Sequence, residues 1–186
     1  MVTTTDSTEI VTQPKLQHEV KPSFKRWLKH VFYLPATKRF FSKQDQHAIA
    51  LAVEQAEHGH VGEIQVVIEG CLPSRLAYIQ DCKSRARQLF AELGVWDTEY
   101  NSGVLLYLNL CERQVEIVID RGIQKATDQT IWDDICQNII QQLKQQHYRD
   151  GVTQGILEIG LVLDAYYDRK INDTENELSN QPIILG

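Results

Sequence analysis

The chain reads as an α/β protein, a three-layer α/β/α sandwich around a small mixed sheet, and three observations predict this. Residues 103–110 are almost continuously apolar, the pattern of a central strand covered on both faces. Only Cys111, Glu112 and Arg113 separate this run from the alternating run 114–120, a link that permits only an antiparallel hairpin. An earlier alternating run, 63–69, reaches residue 103 through a stretch long enough for a helix, which favours a right-handed parallel crossover.

Taken in order, residues 1 to about 20 are polar and aperiodic, and disorder is expected there. From 21 to 43 the basic residues Lys21, Lys25, Arg26, Lys29, Lys38, Arg39 and Lys43 interleave with Phe24, Trp27, Leu28, Val31, Phe32, Phe40 and Phe41. The apolar positions 24, 27, 28 and 31 are helically spaced, and Pro35 breaks the segment. Two readings stand: a membrane-surface or partner-binding helix, or, more plainly, an arm whose aromatics pack on the domain while its charges are solvated.

Ser42 is the expected N-cap of the first core helix, with Asp45 at the third helical position and Ile49, Ala52, Val53 and Ala56 as its apolar stripe. That helix ends near His58 and Gly59, before the strand 63–69. A long helix is predicted from Pro73–Ser74 to Leu93, with Ile79, Cys82, Ala86, Leu89, Phe90 and Leu93 on one face and Gly94 as its stop. After the hairpin come helices over about 128–148 and 152–167. Their stripes are Ile131, Ile135, Ile139, Leu143 and Val152, Ile156, Ile159, Leu163, and Gly155 and Gly160 permit close approach to a neighbour. The organisation is therefore a flexible basic-aromatic arm over 1–39, an α/β domain over 40–168, and a tail over 169–186 whose apolar end, 182–185, docks back.

A length of 186 residues suits one domain, and 42% hydrophobic residues is too many for wholesale disorder. A net charge of −6 argues against nucleic acid as a partner, because phosphate neutralisation requires Lys and Arg. No apolar run approaches the roughly 20 residues that span a bilayer. Residues 1–11 lack the basic and apolar regions of a signal peptide, so the expected location is the cytoplasm, peripheral at the inner face of the membrane if the arm docks there. Cys71, Cys82, Cys111 and Cys136 are scattered without metal-site spacing and read as reduced, mostly buried thiols. The oligomeric state is left open.

The predicted strand directions bring three separated segments to one edge of the sheet. There lie His60 and Glu63, then Asp97, Thr98, Glu99 and Asn101, then Asp120 and Arg121. A rim rich in oxygen donors suits a hard cation such as calcium or magnesium. Asp97, Asn101 and Asp120 are the leading ligand candidates, Glu63 or Glu99 a further donor. Gly103 and Gly122 allow tight backbone beside them. Arg121, with Thr98, is the candidate contact for a phosphate or carboxylate. The competing reading makes Asp97, Thr98 and Asn101 ordinary turn and cap residues and Asp120–Arg121 a salt bridge. No organic cofactor is indicated, and the chain has no G-x-S-x-G, P-loop, G-x-G-x-x-G or H-E-x-x-H motif. His58, His60, His47 and His147 read as surface histidines.

The same residues carry a resemblance. His60-Val-Gly-Glu63-Ile, the run from Gly94 to Leu105 with W-D-T-E-Y-N-S-G-V-L inside it, and Val115-Glu-Ile-Val-Ile-Asp120-Arg121-Gly122-Ile resemble the TPM domain family over about residues 40–185. Trp132, Tyr148–Val152, Gly155-Ile, Asn176-Glu177-Leu178 and Pro182 complete it. The resemblance is greatest to short bacterial members without a membrane anchor. It implies an α/β/α sandwich and a polar cluster at Asp97, Thr98, Asn101, Asp120 and Arg121. It also implies a link to divalent cations, often calcium, and in some relatives to weak acid-phosphatase activity. Two departures stand out: Val61, where relatives of this type often have Arg, and Leu178–Ser179 in place of Leu-Pro.

Three functions follow as expectations. The first is a divalent-cation-binding accessory or interaction domain, and the second a weak metal-assisted phosphatase. The third is an adaptor that docks on a membrane-protein partner through 21–43.

Overall fold

The computed structural model describes residues 20–33, 37–167 and 176–186. The disorder expected before residue 20 and the break at Pro35 fall outside them.

Among the described residues, four strands form one sheet: β1 (Glu63–Glu69), β2 (Gly103–Asn109), β3 (Gln114–Ile119) and β4 (Ile183–Leu185), in the order β3-β2-β1-β4. β1 and β2 are parallel with Glu63 opposite Gly103, and β3 runs antiparallel to β2 with Ile119 opposite Val104. The C-terminal apolar segment does dock. It becomes β4, parallel to β1, and the Gly70 N–H donates to the Leu185 carbonyl at 2.8 Å.

Side chains alternate across the sheet with the period-2 geometry of strands. Ile64, Val66, Ile68, Val104, Leu106 and Leu108 face the larger core under helices α3 (Lys43–Glu57), α7 (Gln129–Lys144) and α8 (Tyr148–Tyr166). Val67, Leu105 and Tyr107 face the smaller core under α5 (Cys82–Glu92). These are the three layers expected. The alternation in β1 does not mark a solvated face, however: all seven of its residues are buried, including Glu63, Gln65 and Glu69.

Local chemistry explains the helix boundaries. Ser42 and Asp45 form a reciprocal capping box on α3. The single helix expected over 74–93 is two, α4 (Ser74–Ile79) and α5. Gln80 is extended at ψ 136°, and Asp81 restarts the chain with its own capping box to Ser84, which is why Ile79 is exposed rather than in the core stripe. Helix α8 begins at Tyr148, earlier than expected, and so carries Gly151, Gly155 and Gly160 inside it. A Cβ at Gly160 would press on Ala56 of α3, and one at Gly155 on Ile139 of α7. A short helix, α6 (Arg121–Ala126), follows β3 with Asp120 as its N-cap. Residues of the arm form α1 (Phe24–Val31), N-capped by Ser23 and seated on α4, and α2 (Thr37–Phe40).

Candidate functional site

At the edge where β1 and β2 begin and β3 ends, register alone brings Glu63, Gly103 and Ile119–Asp120 side by side. The Glu63 N–H donates to the Ser102 carbonyl at 3.3 Å, and the Asp120 N–H to the Gly103 carbonyl at 3.0 Å. The loop from Gly94 to Ser102 folds over this edge. Thr98 Oγ1 accepts the Ser102 N–H at 2.9 Å, and Ser102 Oγ donates to the Val61 carbonyl at 2.5 Å. A side chain at Gly103 would collide with the Val95 carbonyl, and a Cβ at Gly122 would sit 2.5 Å from the Asn101 carbonyl. The two glycines thus clamp the loop between β2 and α6. Asn101 itself is left-handed, at φ 52°.

Of the sequence-predicted residues, Asp97, Glu99, Asn101 and Arg121 are exposed, while Thr98, Glu63 and Asp120 are buried. Thr98 spends its hydroxyl on the loop. Glu63 Oε2 accepts the Leu178 N–H at 3.2 Å, and the Glu177 carboxylate accepts the Glu99 N–H at 3.0 and 3.2 Å. Leu178, despite the Ser that follows it, is therefore how the tail anchors on the rim.

Asp120 is different. One oxygen, Oδ1, accepts the Arg121 N–H at 2.5 Å and caps α6. The other, Oδ2, is buried and has no hydrogen-bond partner among the described residues. The Tyr167 hydroxyl is likewise buried without one, and its pKa is pushed up by burial and then by the Asp120 charge. A buried polar oxygen without a partner costs about 1–3 kcal/mol, and more when charged. At this edge, among the described residues, that cost is left uncompensated.

Sequence reasoning missed Glu57 and Glu177 at this edge. Glu57 Oε1 accepts the Ile64 N–H at 2.7 Å. Burial, reinforced by Glu63 and Glu54 against the Ile64 hydrogen bond, raises its pKa to about 8, so it is largely protonated at neutral pH. His60 is also a correction. It is buried rather than on the surface, because α3 and α8 close around it at Ala56 and Gly160; its Nδ1 accepts the Gly62 N–H at 2.9 Å. His58, His47 and His147 are exposed as expected.

The opposite edge is where β1 and β2 end. Glu69, almost wholly buried, is held by Arg85 Nη2 at 3.0 Å and Nε at 3.3 Å and by the Tyr107 hydroxyl at 2.6 Å. Asn109 Nδ2 donates to that hydroxyl at 2.9 Å, and Asn109 Oδ1 accepts the Glu112 N–H at 2.8 Å. Next to this network, His30, Cys111 and Glu112 form the one cluster of metal-ligand types among the described residues whose candidate atoms lie within 4.8 Å of one another. The chemistry is against a metal there. His30 Nδ1 accepts the Leu72 N–H at 3.0 Å, so the neutral ring carries its proton on Nε2, which faces Glu112 Oε1 at 3.1 Å. A cation at Nε2 would need that proton removed. The cysteines are free, and burial raises Cys111 to about 11 and Cys136 to about 12, which leaves them unreactive as nucleophiles.

A TPM domain model matches residues 36–162. Among solved structures, the chain is similar to the NMR structure of the BA42 protein from the psychrophilic bacterium Bizionia argentinensis, at 28% identity and TM-score 0.70, over 81% of this chain and 99% of that one. It is similar in fold to the N-terminal domain of a P. gingivalis protein, at 21% identity and TM-score 0.57, over 69% of this chain and 80% of that one. The same holds for the N-terminal domain of the cg2496 protein from Corynebacterium glutamicum, at 13% identity and TM-score 0.52, over 94% and 97%. No curated protein matches the sequence.

Proposed function

From the premise that this chain belongs to the TPM domain family, we propose that it is a divalent-cation-binding domain whose rim takes calcium or magnesium. The observation that supports this is the unpartnered, buried Asp120 Oδ2. Asp120 would be the inner ligand. The exposed Asp97 and Asn101 side chains, loop carbonyls and waters would supply the further oxygens that a hard cation takes. Glu63 plays a secondary part, because its carboxylate already accepts the Leu178 N–H; Glu99 is tied to the tail only through its backbone N–H, which Glu177 accepts, so its exposed carboxylate is a further donor. Occupancy of the rim would thereby be coupled to the docking of residues 177–178, a route by which a cation could alter what a partner meets. In this reading the protein is an accessory or interaction domain.

The exposed Arg121, adjacent to Asp120, favours a second reading. A cation on Asp120 would polarise a phosphoryl oxygen and activate a water, while Arg121 held the ester.

Titration of the ¹⁵N-labelled protein with Ca²⁺ and Mg²⁺ tests the first reading. Saturable amide shifts at Asp97, Asn101, Asp120 and Arg121 are expected, and they should vanish in Asp120→Asn. No shift near Asp97 and Asp120 ends the proposal. Phosphate-ester hydrolysis that persists unchanged in Asp120→Asn removes the phosphatase reading alone.

A further inference from the structure

Helix α1 has three faces. At about 100° per residue, Ser23, Arg26, Trp27 and His30 point one way, and this face is the docked one. The Ser23 N–H donates to the Tyr78 carbonyl at 2.9 Å, Arg26 Nε to the Ala77 carbonyl at 2.8 Å, and His30 is buried on Leu72 and Glu112. Phe24, Leu28, Val31 and the C-cap Phe32 fall on another face at spacings of 4, 7 and 8. They are 64%, 40%, 43% and 70% exposed. Lys21, Lys25 and Lys29 flank that stripe, all exposed, with Lys29 reaching Glu112 at 3.3 Å. The helix beneath, α4, also exposes Tyr78 and Ile79.

A soluble helix normally buries its apolar stripe and solvates its charges. Here the polar and mixed face is the docked one, with His30 buried and Ser23, Arg26 and Trp27 half-buried, and the apolar stripe is turned outward. Docking through Ser23, Arg26 and His30 holds it there, so the helix does not have to be ordered on binding. The charge pattern names the occupant. Seven Lys and Arg and no acid fall between Glu19 and Asp45, in a chain whose net charge is −6. The basic helix lies at the edge where β1 and β2 end, and the acidic rim lies at the other. An anionic surface would attract the first and repel the second. A convex apolar stripe edged by lysines is the form of a helix lying in a lipid headgroup layer, whereas a protein partner would have to supply both an apolar groove and acids around it.

We propose that α1 is a peripheral membrane anchor, binding anionic phospholipid through Phe24, Leu28, Val31 and Phe32 with Lys21 and Lys25 as its electrostatic flank. Co-sedimentation of the full chain with vesicles of phosphatidylcholine alone and of phosphatidylcholine mixed with phosphatidylserine tests this. Binding is expected only to the mixed vesicles and should weaken as salt is raised. At least about a tenfold loss is expected both in Phe24→Ser/Phe32→Ser and in Lys21→Glu/Lys25→Glu. All four side chains are exposed, and circular dichroism and thermal melting verify that the variants remain folded. The proposal is overturned by no binding to the mixed vesicles, by equal binding to the neutral ones, or by variants that bind as well as the parent chain. Retention on native membranes that protease treatment of the membrane proteins abolishes would also overturn it, and would point to a protein partner instead.

Discussion

The two edges of the sheet carry similar residue types and use them in opposite ways. Where β1 and β2 end, Glu69, Arg85, Tyr107 and Asn109 close into a network in which each charge or hydroxyl meets a partner. Where β1 and β2 begin, Asp120 keeps one oxygen buried and without a hydrogen-bond partner among the described residues, and Glu57 is pushed toward its protonated form. Paired buried groups hold a fold together without offering anything to a ligand. An unpaired oxygen carries a cost that a bound cation would relieve. The proposed cation site therefore falls at the edge with the exposed acids Asp97 and Glu99.

Four substitutions would break or sharpen this contrast. Arg85→Met should do the most damage, because it strands the Glu69 carboxylate in the core. Urea unfolding is expected to show a loss of about 3–5 kcal/mol. If the loss is under 1 kcal/mol, the closed network is not structural.

At the rim the sign should reverse. The folded pKa of Glu57 lies above its unfolded value, so its contribution is intact below about pH 4 and is lost as pH rises through about 8. Glu57→Gln keeps an oxygen for the Ile64 N–H and removes the charge. The variant should equal the parent at low pH and exceed it by up to about 5 kcal/mol at pH 9. Melting curves across that range check it.

His30 titrates the other way. Burial, outweighing the nearby Glu112, lowers its pKa, so its contribution is present above about 6.5 and fades as pH falls below that. Protonation of Nδ1 breaks the Leu72 hydrogen bond that seats α1. Stability should therefore drop on acidification by about 1 kcal/mol, and His30→Gln should flatten that slope. Hydrogen exchange at the Leu72 amide reports it directly.

The smallest effect is expected at Asp120→Asn. Asn caps helices about as well as Asp, and the change discharges an unpaired oxygen. Stability should move by less than about 1 kcal/mol in either direction while the cation response disappears. A large loss would make Asp120 a structural residue like Glu69.

Much of this was legible along the chain. The apolar run 103–110 and the link after it identify β2 and its antiparallel partner, and the predicted shared edge for Glu63, Asn101 and Asp120 follows from strand direction alone. The break at Gln80–Asp81 had a local signal too, Asp81 and Ser84 at capping-box spacing, but the helical stripe through Ile79 and Cys82 masked it. Glu57 and Tyr167 had no such signal, and Glu177 only its place in the Asn176-Glu177-Leu178 stretch of the resemblance, since all three reach the rim only when α3, α8 and the tail pack together. His60 was misjudged for the same reason.

What the amino-acid order determined by itself is whatever depends on neighbours along the chain: strand and helix periods, caps, hairpin direction, and hence which segments share an edge. What the tertiary structure alone decided is which polar atoms find partners and which apolar side chains find cover. Among the described residues, Asp120 Oδ2 is left unpaired and Phe24 exposed, and both outcomes depend on where segments tens of residues away are placed. Hydrogen-bond satisfaction and burial are sums over those distant contacts, and local sequence pattern does not contain them.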